Sequence, residues 1–219
     1  MIVPFDTVPF IDPEEIDGFF RVYFITELEV PDKKLIGASV VYMGKGTGHT
    51  KHVHEDTTEV AYVLEGDACQ SYWDGSDREH KFTMHAGELA VTSPQVVHQT
   101  MSLSTGEHPL AMYIFTARCI PQCYRVHLPA GESVEVCGQS ESIFFILSGT
   151  GRVRLNDKEA VALPYTHIEF GCGDNLCLEN TGNTPLVLLA FTTGNEKLPP
   201  QAEEIPYING KQIVDTLYH

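Results

Sequence analysis

The chain repeats itself, and this repeat constrains the fold more than any other feature of its 219 residues. Met43-Gly44-Lys45-Gly46 returns 85 residues later as Leu128-Pro129-Ala130-Gly131. Val63-Leu64-Glu65-Gly66 returns at an offset of 83 as Ile146-Leu147-Ser148-Gly149, and Pro109–Thr116 at an offset of 76 as Pro185–Thr192. Self-similarity over such a length means one structural unit used twice. The shrinking offset says that the second copy keeps the strand order and shortens its loops. Two compact domains of roughly 100 residues each are expected, with a boundary near Arg118–Pro121 that divides the chain into residues 1–119 and 120–219.

The repeated unit is all-β. Short runs rich in Val, Ile, Tyr and Phe, such as Leu35–Met43, Thr58–Leu64, Leu110–Thr116, Ile143–Leu147 and Leu186–Phe191, alternate with Gly, Pro, Asp and Asn. Regular short strands punctuated by turn residues imply a sandwich or barrel. Only Pro13–Ile16 and Gln212–Leu217 read as weakly helical. No apolar run reaches the roughly 18 residues of a membrane span, and the first residues lack the basic start of a secretory signal. A soluble, cytoplasmic protein is expected. Thirty acids against 14 bases give a formal net charge of −16, which repels phosphate backbones and anionic lipid, so neither nucleic acid nor membrane is an expected partner. The six cysteines are too sparse for a disulfide scaffold and read as free thiols.

Chemistry concentrates in Gly46–Gly66. His52 and His54 lie two apart, so in an extended strand their imidazoles share one face, about 6–7 Å apart at the backbone. Glu59 is an odd number of residues from both and reaches that face only if the chain turns first. The polar segment Glu55-Asp56-Thr57-Thr58 suits such a turn. Glu59 would then open the next strand pointing inward.

The spacing G-x5-H-x-H-x4-E-x6-G, from Gly46 through His52, His54 and Glu59 to Gly66, resembles the first conserved motif of the cupin superfamily. Gly87–His98 resembles the second, G-x5-P-x-G-x2-H-x3-N, with Pro94 one place late, Gln95 where a glycine is usual and Ser102 in place of the asparagine. The resemblance implies two tandem double-stranded β-helix, jelly-roll-like barrels. It also implies one metal ion held by His52, His54, Glu59 and His98, with Glu59 a ligand that also takes a proton in catalysis. Three nitrogens and one oxygen suit a divalent transition metal: Fe, Mn, Ni, Co, Cu or Zn. An octahedral ion would keep two positions open for water, substrate or dioxygen.

In the second copy the same count puts Cys137 and Gln139 at the histidine positions, Ser142 at the glutamate position with Glu141 one residue off, and Asp174 opposite His98. This barrel is expected to be degenerate and without metal. His49 reads as a histidine of an exposed loop, with a base behind the ligands or a lid residue as the alternative, and Arg118 and Arg125 as structural residues and only weak candidates for a substrate carboxylate. The function expected is a metal-dependent enzyme acting on a small oxygen-rich molecule, an oxo-acid, enol or sugar derivative, by dioxygenation, isomerisation or lyase chemistry. The alternative is a non-catalytic cupin that binds or senses a small ligand. Similar proteins often dimerise, so a homodimer is expected.

Overall fold

The computed structural model describes residues 1–8, 19–25, 33–105, 108–199 and 201–210. The segments read as weakly helical, Pro13–Ile16 and Gln212–Leu217, lie outside the described residues. The described residues form nineteen strands and one 3₁₀ turn, Phe5–Thr7. The chain divides into two compact units with the main break between Ile120 and Pro121.

The N-terminal barrel contains β2 (Phe19–Ile25), β3 (Leu35–Met43), β4 (Thr58–Glu65), β5 (Asp67–Trp73), β6 (Glu79–His85), β7 (Leu89–Thr92), β8 (Val97–Ser102) and β9 (Leu110–Ala117). A last strand, β19 (Tyr207–Asn209), runs parallel to β7. The sheets are six-stranded, ordered β19-β7-β4-β9-β3-β2, and three-stranded, ordered β6-β5-β8. Cross-strand partners point to the same face. Ala61 lies opposite Ala90 and Ile114, and Val63 opposite Met112. Together with Val41, Met43, Ala68, Met84 and Leu110 they form one buried cluster on the inner face. Each Val, Leu, Ile or Met side chain fully buried in this way contributes about 1.5–3 kcal/mol.

The C-terminal barrel contains β10 (Gln122–Leu128), β11 (Ser133–Cys137), β12 (Ser142–Ser148), β13 (Gly151–Leu155), β14 (Lys158–Ala162), β15 (His167–Phe170), β16 (Asn175–Asn180), β17 (Leu186–Thr192) and β18 (Ala202–Glu204). The first strand of the chain, β1 (Ile2–Val3), pairs with β15. The sheets are ordered β1-β15-β12-β17-β10-β18 and β11-β16-β13-β14. Their shared interior is apolar and includes Phe144 packed edge-on against Phe170 at 5.0 Å.

The repeat holds in fine detail. β4 carries a bulge between Val63 and Glu65, and β12 carries one between Ile146 and Ser148, again 83 residues on. Gly66 and Gly149, which follow these bulges, both have positive φ, 82° and 92°. A Cβ on Gly149 would meet Pro185 O at 2.7 Å, so only glycine fits that turn. The chain ends cross the division expected from sequence: Met1–Val8 belongs to the unit built on Pro121–Ile205, and β19 to the unit built on Ile36–Ile120.

Candidate metal centre

Three elements of the N-terminal barrel deliver the four expected ligands. Glu59 is the second residue of β4 and faces inward between Thr92 and Thr116. His98 lies on β8 opposite Tyr72. The Gly48–His54 segment is not a regular strand. It meets β8 at two isolated bridges, Gly48 to Met101 and His52 to His98. Gly48 permits that approach, since a Cβ there would stand 2.1 Å from Thr100 O. Of the turn expected at Glu55–Thr58, Glu55–Thr57 lie between the elements and Thr58 already opens β4; Gln95 ties the turn down. The Gln95 backbone N–H donates to His54 O at 2.8 Å and its side-chain amide to Glu55 O at 2.6 Å. Gln95 does this with φ at 67°, the left-handed conformation for which the motif usually supplies glycine.

One ligand atom from each of His52, His54, Glu59 and His98 lies within 4.8 Å of all the others. Glu59 Oε1 stands 3.3 Å from His98 Nε2, and Glu59 Oε2 stands 3.4 Å from His54 Nε2 and 3.8 Å from His52 Nε2. Ligand atoms around one ion at the usual bond length of about 2.1 Å are themselves roughly 3–3.5 Å apart, so the set has the right dimensions. Backbone carbonyls fix two of the tautomers. His52 Nδ1 donates to Thr50 O at 2.7 Å and His98 Nδ1 to Val96 O at 2.9 Å. A carbonyl can only accept, so in each neutral ring Nε2 keeps its lone pair for the centre.

The buried ends of this set call for a cation. Glu59 Oε1 and His98 Nε2 are both buried and neither makes a hydrogen bond among the described residues. Burial alone would push the Glu59 carboxyl up, but the His98, His52 and His54 imidazoles hold it well below the ordinary range. The neighbouring Glu59 carboxylate raises the His52 value, against the effect of burial. Two acceptor atoms turned toward each other inside a barrel would be costly without a positive charge between them. A divalent ion fits, and the four residues constitute a His/Glu metal-binding site. No other group of three or more His, Cys, Asp or Glu among the described residues comes together in this way.

Several expectations are corrected. His49 is not an exposed loop residue. It is 7% exposed, its Nε2 accepts from Arg21 Nη2, and burial pushes it down to about 4. Arg118 is exposed and Arg125 lies half-buried on β10. Arg21 was missed. It lies opposite Val41 and therefore on the inner face of its sheet. Its signal in the sequence is a lone cation within the apolar run Phe19–Ile25.

Among the described residues the C-terminal barrel has no equivalent site, and its register shows why. Ser142 pairs with Thr192 as Glu59 pairs with Thr116, so Ser142 takes the glutamate's place, as the spacing indicated. Leu176, not Asp174, takes the place of His98: Leu176 faces Leu155 on the neighbouring strand as His98 faces Tyr72. Val136 pairs with Leu176 as His52 bridges His98, whereas Cys137 and Gln139 are exposed. Asp174 sits in a turn and accepts from Asn156 Nδ2 and Gly171 N. Glu141 accepts from the backbone N–H groups of Lys34 and Leu35. Val136 and Leu176 fill the second interior with apolar core.

A jelly-roll barrel closed around three imidazoles and a carboxylate is the architecture of a metal-type cupin. Residues 39–115, the greater part of the N-terminal barrel, match the family model described as the cupin domain. No curated protein matches the chain. Among solved structures it is similar to a Lactobacillus farciminis oxalate decarboxylase in a formate complex, with a TM-score of 0.69 and 10% identity over 93% of this chain and 88% of that one. A Bacillus subtilis oxalate decarboxylase, studied for its Mn(II) centres, gives a TM-score of 0.67 and 13% identity over 90% and 78% of the two chains. AerE from Microcystis aeruginosa gives a TM-score of 0.69 and 11% identity over 84% and 97%. At these identities the likeness establishes the fold.

Proposed function

We propose that the N-terminal barrel is the active site of a metal-dependent enzyme acting on a small oxygen-rich metabolite, an oxo-acid or enol. The observation that carries this reading is the pair of buried, unpartnered acceptors, Glu59 Oε1 and His98 Nε2, 3.3 Å apart. Beside them the His52 and His54 side chains are 29% and 26% exposed. A ligand set buried on one side and open on the other admits substrate, whereas a structural site closes on all sides. When bound there, a divalent ion would supply Lewis acidity toward a carbonyl, enolate or carboxylate oxygen.

The remaining work falls to the chain. His52 and His98 are held in one orientation by the Thr50 and Val96 carbonyls. Glu59, fully buried on β4, serves as ligand and as the carboxylate that receives a substrate proton at Oε2, the oxygen nearer the two open histidines. Thr92 stands opposite Glu59 and Tyr72 opposite His98 on the inner wall, with their hydroxyls 3.4 Å apart. Of the three reaction classes open to such a site, the fold likeness to oxalate decarboxylases supports lyase chemistry, and the Mn(II) centres of one of them support manganese as the first metal to test.

The test is elemental analysis of purified protein beside a His52→Ala, His98→Ala double variant. About one equivalent of metal in the wild type, lost in the variant, is the expected result. The loaded protein is then assayed with oxalate, other oxo-acids and enols, where turnover lost in the double variant is expected. Wild type that refuses Mn, Fe and Zn alike overturns the reading.

A further inference from the structure

The metal ligands straddle two sheets. His98 hangs from β8 of the three-stranded sheet and is bridged by His52, whereas Glu59 hangs from β4 of the six-stranded sheet. The 3.3 Å between Glu59 Oε1 and His98 Nε2 is therefore a distance between sheets. Among the described strands no ladder joins the two sheets, so backbone pairing does not set it. A working site nevertheless needs its ligands held to within about 0.5 Å of the bound geometry, and packed side chains must do this.

Tyr72 spans the same gap. It lies on β5 opposite His98, and its hydroxyl crosses to Thr92 on β7, which lies opposite Glu59. Thr92 Oγ1 donates to that hydroxyl at 3.4 Å, and the buried Gln70 side chain bonds it as well. A rigid ring thus links the two sheets beside the Glu59–His98 pair. The ring is seated on the C-terminal strand. β19 runs parallel to β7 with Asn209 level with Val91, and one residue further on Gly210 comes beside Thr92. Gly210 is buried, and a Cβ there would lie 2.5, 2.9 and 3.0 Å from Cε1, Cζ and Cδ1 of Tyr72. Gly210 does not have a positive φ, so its backbone admits other residues and the ring alone excludes a side chain. Tyr72 is 0% exposed, with Thr92, Gln70 and the Phe82 ring, 6.2 Å away between centroids, around it. A close-packed interior of this kind passes a displacement on to its neighbours.

We infer that Tyr72 and Gly210 are positioning residues of the metal centre: Tyr72 fixes the spacing of the sheets that carry His98 and Glu59, and Gly210 seats Tyr72. The C-terminal strand thereby sets the metal affinity of the N-terminal barrel. The inference rests on the metal centre and goes beyond the chemistry proposed for it. Neither residue is a ligand. Tyr72 acts through the strands that carry His98 and Thr92, and Gly210 acts through the Tyr72 ring. A side chain at position 210 would move the ring, and the ring would carry the shift to both sheets at the level of the ligands.

The test is the zinc dissociation constant, measured by competition with a chromophoric chelator, beside urea midpoints of the same proteins without metal. Gly210→Ala should weaken zinc about tenfold, the usual cost of disturbing groups behind metal ligands. Tyr72→Phe keeps the ring, removes the hydroxyl link and should weaken zinc by about fivefold or more; it decides the matter if Gly210→Ala does not fold. Ile208→Ala, on the same strand, should lower the urea midpoint and leave the zinc constant within about twofold, which separates positioning from loss of stability. In a Tyr72→Leu background, where no ring meets the new Cβ, adding Gly210→Ala should change zinc affinity by less than about twofold. Zinc affinity within twofold of wild type in either folded Gly210→Ala or Tyr72→Phe overturns the inference. So does a loss in Ile208→Ala equal to that in Gly210→Ala, or a further tenfold loss in the Tyr72→Leu background. Wild type that takes up no zinc overturns the metal centre itself, a result distinct from wild type that binds zinc and variants that bind it equally well.

Discussion

A buried neutral histidine makes a protein sensitive to acid, and His167 of the C-terminal barrel is such a residue. It opens β15, is 0% exposed, and is pushed down to about 3, first by burial and then by the N-terminal amine and Lys33. A group whose folded value lies below its unfolded value of 6.5 contributes stability that is whole above pH 6.5 and is lost as pH falls toward 3. The loss is on the order of a few kcal/mol. His167→Gln cannot be protonated, so urea midpoints measured at pH 7, 5 and 4 should fall less steeply with acid than those of the wild type. Parallel slopes would show that His167 does not govern the acid limb. Single residues were legible in the sequence where function needed only local spacing: His52, His54, Glu59 and His98 could be listed from motif distances alone. Arg21, His49 and Gln70 could not, because whether a polar side chain turns inward depends on strand pairing tens of residues away. The left-handed positions show the same limit. Gln95 and Tyr165 hold φ of 67° and 68° at places where the other barrel has Gly173 and Gly87. The backbone turn recurs although the glycine that usually marks it does not.

Among the elements, the terminal strands carry the least sequence signal and have defined roles. β19 is three residues long, yet it lies parallel to β7, whose other neighbour is β4, the strand that carries Glu59. Ile208 packs on the inner cluster of the N-terminal barrel, and Gly210 passes so close to Tyr72 that a Cβ there would lie 2.5 Å from the ring. Strands paired with neighbours in sequence were readable from their apolar alternation and turns. β1 and β19 were not, because their partners lie more than a hundred residues away and two or three residues show no period. If β19 supports β7 as its packing indicates, Ile208→Asp should cost about 1–3 kcal/mol, the usual loss for placing a charge against a packed cluster. Trp73, the chain's one tryptophan, lies on β5 and reports on this barrel directly. Its fluorescence should show unfolding at lower urea in the variant. An unchanged midpoint would mean that β19 only lies along the edge.

At the scale of the whole molecule, one architecture appears twice with opposite interiors. The N-terminal barrel places Glu59, His98 and His52 where the C-terminal barrel places Ser142, Leu176 and Val136. The exchange turns a charged cavity into apolar core without altering strand order or the shared bulge. Stability should therefore depend on metal in one barrel alone. A ligand that binds only the folded state adds RT ln(1 + [L]/Kd), about 2.7 kcal/mol at a hundredfold excess over Kd. Where exchange requires opening of the bound structure, that energy slows it by about two orders of magnitude. Adding manganese or zinc to metal-free protein should thus slow amide exchange in peptides spanning residues 48–62 and 96–102, which carry the ligands. Peptides spanning 133–137 and 175–180, where Val136 and Leu176 stand, should keep their rates. Equal slowing in both barrels would mean that the second interior also takes metal, against the register that fills it with aliphatic side chains. No slowing in either would mean that the His/Glu set does not bind the ion, and the metal-dependent reading would fall with it.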